Sequence, residues 1–303
     1  MPGRRIVIAG GTGFIGERLV TALHTTGEEV VVLSRHHVAP AGARVVQWDG
    51  HTVEEWAKEL DGAYAVINLA GETVSQRWSS EARARIMRSR VDGTQAICHA
   101  IMQAARPPER WINASAVGYY GDRGREPMDE RSDAGRGFLA ETCIAWEEAV
   151  TRCEVSKTAR TRLRISMVVG HQGALPALAR LARLGLGGHA GSGEQMVSWI
   201  HLDDLVGMIA WLLDIPNPPE IVNAASPSPV SNAELMREVR KQLNVPFGLP
   251  APAFGVKLVG RFLGPDADLI LNGVRAVPTE ALRLGFRFHC PEIADAIEDV
   301  LGK

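Results

Sequence analysis

Arg5-Ile-Val-Ile-Ala9 followed by Gly10-Gly-Thr-Gly13-Phe-Ile-Gly16 is the stretch that decides the fold. Five residues rich in β-branched side chains make a short strand. Apolar residues at helical spacing then run over Phe14–Thr26, and Gly27 marks the stop. Between strand and helix, Gly10-x-x-Gly13-x-x-Gly16 has the glycines a tight turn needs. They allow positive φ, close approach of backbone N–H groups to a ligand, and close packing of helix on strand. The helix N-terminus that follows carries partial positive charge, so the segment reads as a pyrophosphate cradle contacted by Gly10, Thr12, Gly13, Phe14, Ile15 and Gly16.

Outward from the loop, the second strand, Glu29–Leu33, ends in Ser34-Arg35-His36-His37. A ribose 2′-hydroxyl calls for an acidic residue about 20 residues past the loop, and none stands here. Arg35 suits a 2′-phosphate through charge-assisted hydrogen bonds, so the residues point to NADP(H) over NAD(H).

The rest of the first half alternates between strands and helices. Strands are expected at Ala43–Gln47, Ala63–Leu69, Arg110–Ala114 and Thr161–Val169, and helices at Val53–Leu60, Ser79–Ala105 and Phe138–Thr151. This rhythm predicts an α/β fold, a Rossmann-type doubly wound parallel sheet of at least six strands. The first domain should span 1–170, with segments around 197–225 returning to it. Residues 171–303 should form a smaller C-terminal α/β lobe. In that lobe the pattern predicts a helix at Leu175–Leu184 and a loop with five glycines at Gly185–Gly193. A strand should follow at Val197–Ile200, then a helix capped by Asp203 or Asp204 and ending near Asp214. Ser231 with Glu234 makes a capping box opening Ala233–Leu243.

Composition sets the outer bounds. The chain has 303 residues, 46% hydrophobic and 22% charged, with a net charge of −2. That balance gives no reason to expect nucleic acid or a membrane as partner. No run is apolar enough for a membrane span, and no leader pattern opens the chain. The four cysteines, Cys98, Cys143, Cys153 and Cys290, form no CxxC, and the nine histidines no ligand cluster, so no metal site is expected. Two disulfides are possible in principle, but a core of this size needs no staple. A reducing, cytoplasmic setting is the simplest expectation.

Further motifs carry a resemblance. Gly10–Gly16, Asn68-Leu-Ala-Gly71 after the fourth strand and Ser115-Ala-Val-Gly-Tyr-Tyr-Gly121 after the fifth resemble the extended short-chain dehydrogenase/reductases, which include the nucleotide-sugar epimerases. Arg77-Trp78, Ser89-Arg90, and Gly187-Gly188 through Gln195 into Ser198-Trp-Ile-His201 narrow it to an epimerase-like family of NADP-dependent oxidoreductases with a small C-terminal domain of their own. The resemblance covers essentially the whole chain. It implies cofactor contacts at the glycine loop, at Ser34 and Arg35, at Leu69, Ala70 and Gly71, and at Arg90 and Val168. A homodimer is implied by analogy alone.

The superfamily's Tyr-x-x-x-Lys pair is missing. Each of the three tyrosines fails the spacing: Tyr64 is followed four residues later by Asn68, Tyr119 by Arg123 and Tyr120 by Gly124. Aligning Glu147 with the acidic residue that usually follows the pair puts Leu139 and Cys143 at the two catalytic positions. Candidate catalytic residues are therefore Ser115, with Ala116 an equal positional match, and Tyr119 or Tyr120 as proton donor from the loop after the fifth strand. Two functions compete: an NADP-dependent oxidoreductase or epimerase acting on a small-molecule substrate, and a non-catalytic NADP(H)-binding regulatory protein. Some members of the resembled family carry a link to cell division, which would fit the second.

Overall fold

The computed structural model describes residues 3–38, 40–262 and 265–302. In chain order it opens with β1 (Arg5–Ala9), α1 (Phe14–Thr25), β2 (Glu29–Ser34), β3 (Ala43–Gln47), a 3-10 turn at Glu55–Leu60, β4 (Ala65–Asn68), α2 (Ser80–Gln103) and β5 (Arg110–Ala116). A 3-10 turn at Val117–Tyr120 leads to β6 (Pro127–Met128), α3 (Phe138–Thr151), β7 (Ala159–Ile165) and β8 (Met167–Val169). The second half holds α4 (Ala174–Arg183), β9 (Met196–Val197), β10 (Trp199–His201), α5 (Leu202–Asp214), β11 (Ile221–Ala224), β12 (Val230–Ser231) and α6 (Asn232–Gln242). It ends with α7 (Ala253–Phe262), α8 (Asp268–Leu271), β13 (Arg275–Ala276), α9 (Thr279–Arg283) and α10 (Ile293–Leu301).

Seven strands form one parallel sheet in the order β11-β7-β5-β4-β1-β2-β3. The alternation of side chains along a strand splits its apolar residues between two layers. Ile6 and Ile8 of β1 face a layer filled by Leu19, Val20 and Ile209 of α1 and α5. Val7 and Ala9 face the other, with Trp56, Ile97, Trp111 and Val150. Residues buried on both faces explain why β1, β2 and β4 read as continuous apolar runs. The strand order reverses at β1/β4, so a crevice opens beyond the carboxyl ends of these strands, where the glycine loop sits. β11 comes from the C-terminal half and pairs with β7 at the sheet's edge. A third apolar layer, with Leu175, Trp199, Leu235, Val239 and Ile297, packs α4, α6 and α10 together.

Three local expectations are corrected. Thr161–Val169 is not one strand. The ladder to β11 ends at Ser166, whose N–H and hydroxyl both donate to Ala224 O (3.1 and 2.8 Å), and β8 leaves to pair with β10. Val197–Ile200 divides in the same way at Ser198, whose hydroxyl donates to Val274 O and accepts from Ala276 N–H. At both breaks a serine hydroxyl competes for backbone groups of another segment. The cap of α5 is His201, whose Nδ1 accepts from Asp203 N–H at 3.3 Å. Asp204 turns inward instead and accepts from His289 and Cys290 N–H at 2.6 and 3.0 Å.

The thiols also depart from expectation. Cys98 on α2 and Cys153, just past α3, form a disulfide with Cα atoms 5.8 Å apart. α2 and α3 pack side by side over one apolar layer, and that packing joins residues 55 apart in sequence. No described helix is long and apolar enough to cross a membrane.

Candidate functional site

The glycines of the loop have different duties. A Cβ on Gly11 would lie 2.6 Å from Val32 Cγ2, and one on Gly16 would lie 2.4 Å from Gly10 O, so both are fixed by packing. Gly10 has φ +79° and presses on the Ala70 peptide. Gly13 is the exception, with its nearest neighbour 3.4 Å from an added Cβ. It is also the N-cap of α1, and no side chain caps that helix. The first-turn N–H groups of a helix have no intrahelical acceptor, so those at Phe14, Ile15 and Gly16 are left for a ligand. Thr12 is half-buried beside them. The Phe14 ring packs so closely on Gly170 that a Cβ there would sit 2.6 Å from Cζ. Phe14 and Val168 of β8 both pack against the first apolar layer.

At the end of β2, Ser34 is buried and its Oγ accepts from His36 N–H at 3.0 Å, which turns the chain outward. Arg35 is thereby exposed, and its guanidinium makes no hydrogen bond or ion pair among the described residues. Across the crevice, Asn68 holds the Leu69-Ala70-Gly71 segment. Its Oδ1 accepts from Ala70 N–H at 3.1 Å, and its Nδ2 donates to Asn113 Oδ1 at 2.8 Å. Arg90 lies over this segment. It donates to Glu72 O and Ile86 O, both at 3.0 Å, and stacks on Trp146 with Cζ 5.1 Å from the ring centre. Burial pulls its pKa down. Arg90 thus shapes the loop through backbone contacts, whereas Arg35 keeps its donors free.

The catalytic candidates sit in a different setting. Ser115 is buried and donates to Glu147 Oε1 at 2.7 Å. Arg164 grips both oxygens of Glu147, each at 2.8 Å, and donates to Tyr120 OH at 2.9 Å. The Tyr120 hydroxyl in turn donates to Asn223 Oδ1 at 2.7 Å. Tyr120 is 0% exposed, and burial pushes its phenol up to about 12. For Arg164, burial works against the charge, but the hydrogen-bonded Glu147 outweighs it and holds the pKa up. Tyr119 differs. It is half-buried, its ring lies 3.5 Å beneath Arg164 Cζ and edge-on to Tyr120, and its hydroxyl makes no hydrogen bond among the described residues.

Leu139 and Cys143 do line the turn after β5: a Cβ on Gly118 would be 3.4 Å from Leu139 Cβ and 3.9 Å from Cys143 Sγ. Burial pushes the Cys143 thiol up to about 11, so it stays protonated at neutral pH and supplies no charge there. Sequence reasoning did not find Arg164 or Asn223. Arg164 stands between Leu163 and Ile165 in a central strand, a position where a cation must be paired, and that was the available signal. His201, Asp204 and Cys290 converge as metal-type donors. Nδ1 of His201 and both oxygens of Asp204 are already committed to backbone N–H groups.

Residues 6–225 match the model of the NAD dependent epimerase/dehydratase family. The chain belongs to that family. Residues 251–300 match a separate domain of unknown function, DUF1731. Among relatives, the epimerase family protein SDR39U1 homolog, chloroplastic, of Arabidopsis thaliana is 35% identical over 98% of this chain and 86% of its own length. Epimerase family protein YfhF of Bacillus subtilis is 30% identical over 98% and 97%. The crystal structure of human epimerase family protein SDR39U1 with NADPH superposes with a TM-score of 0.88 at 32% identity, covering 99% of both chains. The expected family resemblance and Rossmann-type fold therefore stand.

Proposed function

We propose that this chain binds NADP(H) in the crevice at the glycine loop and works as an oxidoreductase or epimerase on a small-molecule substrate. The uncapped α1 N-terminus at Gly13, with the unpaired Arg35 at the end of β2, carries the reading. In it, the amides of Phe14, Ile15 and Gly16 hold the pyrophosphate, and Arg35 pairs with the 2′-phosphate. Leu69, Ala70 and Gly71 form the opposite wall beside the adenosine, with Arg90 bracing them. NADP(H) supplies the hydride acceptor or donor. The human relative, crystallised with NADPH, supports the cofactor choice.

Tyr119 is the group we assign to proton exchange with the substrate oxygen, because its phenol alone among the candidates is uncommitted. Arg164 over its ring is a positioning residue, as are Ser115 and Tyr120, whose hydroxyls serve the buried network. One observation favours a second reading, a non-catalytic NADP(H)-binding regulator. The chain from Ser115 through Glu147, Arg164 and Tyr120 to Asn223 is complete without any substrate.

Calorimetric titration with NADPH and NADH tests the cofactor. Arg35→Asp should weaken NADPH binding by about 100-fold, equivalent to roughly 2.7 kcal/mol, and leave NADH nearly unchanged. Equal NADPH affinity in parent and variant would remove Arg35 from the site. Turnover in a screen of carbonyl compounds and nucleotide sugars, abolished by Tyr119→Phe with NADPH binding intact, would favour the enzyme. Turnover that survives Tyr119→Phe would take the proton-exchange role from Tyr119, and a screen with no turnover would favour the regulator.

A further inference from the structure

Residues 172–193 and 239–265 contain no Asp or Glu, in a chain that has 35 of them. The fold joins these two acid-free stretches. Leu249 N–H donates to Gly185 O and Gly188 N–H to Leu249 O, at 2.8 and 3.1 Å, and Ala251 and Gly191 bond likewise to His189 and Ala251. On the surface so formed, Leu184, Leu186, Phe247, Leu249, Phe254 and Leu258 are all exposed, most of the exposed large apolar side chains among the described residues. The backbone pairing sets Leu184 and Leu186 beside Leu249, and exposed apolar side chains gathered on joined segments mark an interaction surface. Around them stand Arg180 and Arg183 of α4 and Lys257 of α7, exposed and with no acidic partner among the described residues.

The form of the surface narrows the occupant. Phe254 is 75% exposed, Leu184 66% and Phe247 63%, so these side chains stand out from the surface instead of lining a groove that would grip a peptide. None of the six lines the cavity walled by Arg275 and Glu194 or the one walled by His189 and Arg237. A second copy docked face to face would bring Arg180, Arg183 and Lys257 of both copies into one interface with no acid from either stretch to pair them. Protruding apolar tips with unpaired cations around them fit a fluid, negatively charged, partly apolar phase.

We propose that this face docks the protein on a bilayer surface carrying anionic phospholipids. The apolar tips of the 184–186 turn, the 247–249 segment and α7 enter the boundary between headgroups and acyl chains, and the three cations lie among the headgroups. The even overall charge conceals this face, because the two stretches that build it carry cations and no acids of their own. The proposal is independent of the cofactor reading.

The test is co-sedimentation of the full chain with vesicles of phosphatidylcholine, with and without phosphatidylglycerol. Binding should need the anionic lipid and weaken as salt is raised. Phe254→Asp and Leu184→Asp should each lower the partition constant by about 10-fold or more, and Arg180→Glu with Arg183→Glu by a similar factor. Leu282→Asp, at a 49% exposed position outside the face, should change nothing, and circular dichroism should show all variants folded. Absence of binding, or equal binding to neutral vesicles, overturns the proposal. So does a dimer by light scattering that Phe254→Asp converts to monomer, which would assign the face to a second copy.

Discussion

Two regions at the carboxyl edge of one sheet handle polar groups in opposite ways. Around Gly10–Gly16 and Arg35, donors are left open: an uncapped helix start, an unpaired guanidinium and a glycine with room beside it. Beyond β5, Ser115, Glu147, Arg164, Tyr120 and Asn223 satisfy one another and are closed to solvent. A ligand site keeps hydrogen-bonding capacity for something absent from the chain, whereas a structural network uses its own. That criterion supports the proposed binding role of the first region and sets the second apart as a scaffold, with Tyr119 at its rim.

The largest expected effect tests the closed region. Glu147→Ala leaves Arg164 buried without its partner and should destabilise the fold by roughly 3–5 kcal/mol, read from urea unfolding. Joint replacement by Glu147→Leu and Arg164→Met should recover much of that loss. If Glu147→Ala shifts stability by less than about 1 kcal/mol, the network is not what holds this region.

The open region is tested by a contrast within the loop. Gly16→Ala and Gly11→Ala put a methyl where the backbone or Val32 already stands and should lower stability by about 1–3 kcal/mol. Gly13→Ala has no such clash, so its stability should be nearly that of the parent. Its methyl would occupy the phosphate's approach, and NADPH affinity should fall by about 10-fold or more, measured by calorimetry. Should Gly13→Ala bind NADPH as the parent does, the pyrophosphate does not rest there.

The smallest effect concerns Glu130, next to the closed network. Its Oε1 accepts from Asn223 N–H at 3.0 Å and its Oε2 has no hydrogen-bond partner among the described residues, while burial holds its carboxyl above the usual range. The folded state therefore binds this proton more tightly than the unfolded chain. The stability it contributes is full below the unfolded value near ~4.3 and is lost as pH rises through the raised folded value. Glu130→Gln should accordingly be as stable as the parent or more so at neutral pH, an advantage of about 1 kcal/mol that shrinks in acid. Denaturation midpoints at several pH values would show it, and a constant difference would rule out the assignment.

The sequence by itself determined the doubly wound sheet, the glycine loop and the absence of a Tyr-x-x-x-Lys pair. It also located the Ser231–Glu234 capping box, which the structure contains. These features are local: a two-residue or 3.6-residue period and a fixed glycine spacing act within a few residues, so they are legible without neighbours. Only the tertiary structure decided which hydroxyls are free. Tyr119 and Tyr120 are adjacent and alike in sequence, yet Asn223, over a hundred residues away, takes the hydroxyl of one and leaves the other. The same holds for Ser166 and Ser198, whose partners at Ala224 and Val274 split strands that read as continuous. It holds for Cys98 and Cys153, brought together by two helices packing on one layer, and for the two acid-free stretches, joined by backbone pairing and by Arg240 donating to Gly187 O. In each case the deciding partner is distant in sequence, and no local period encodes it.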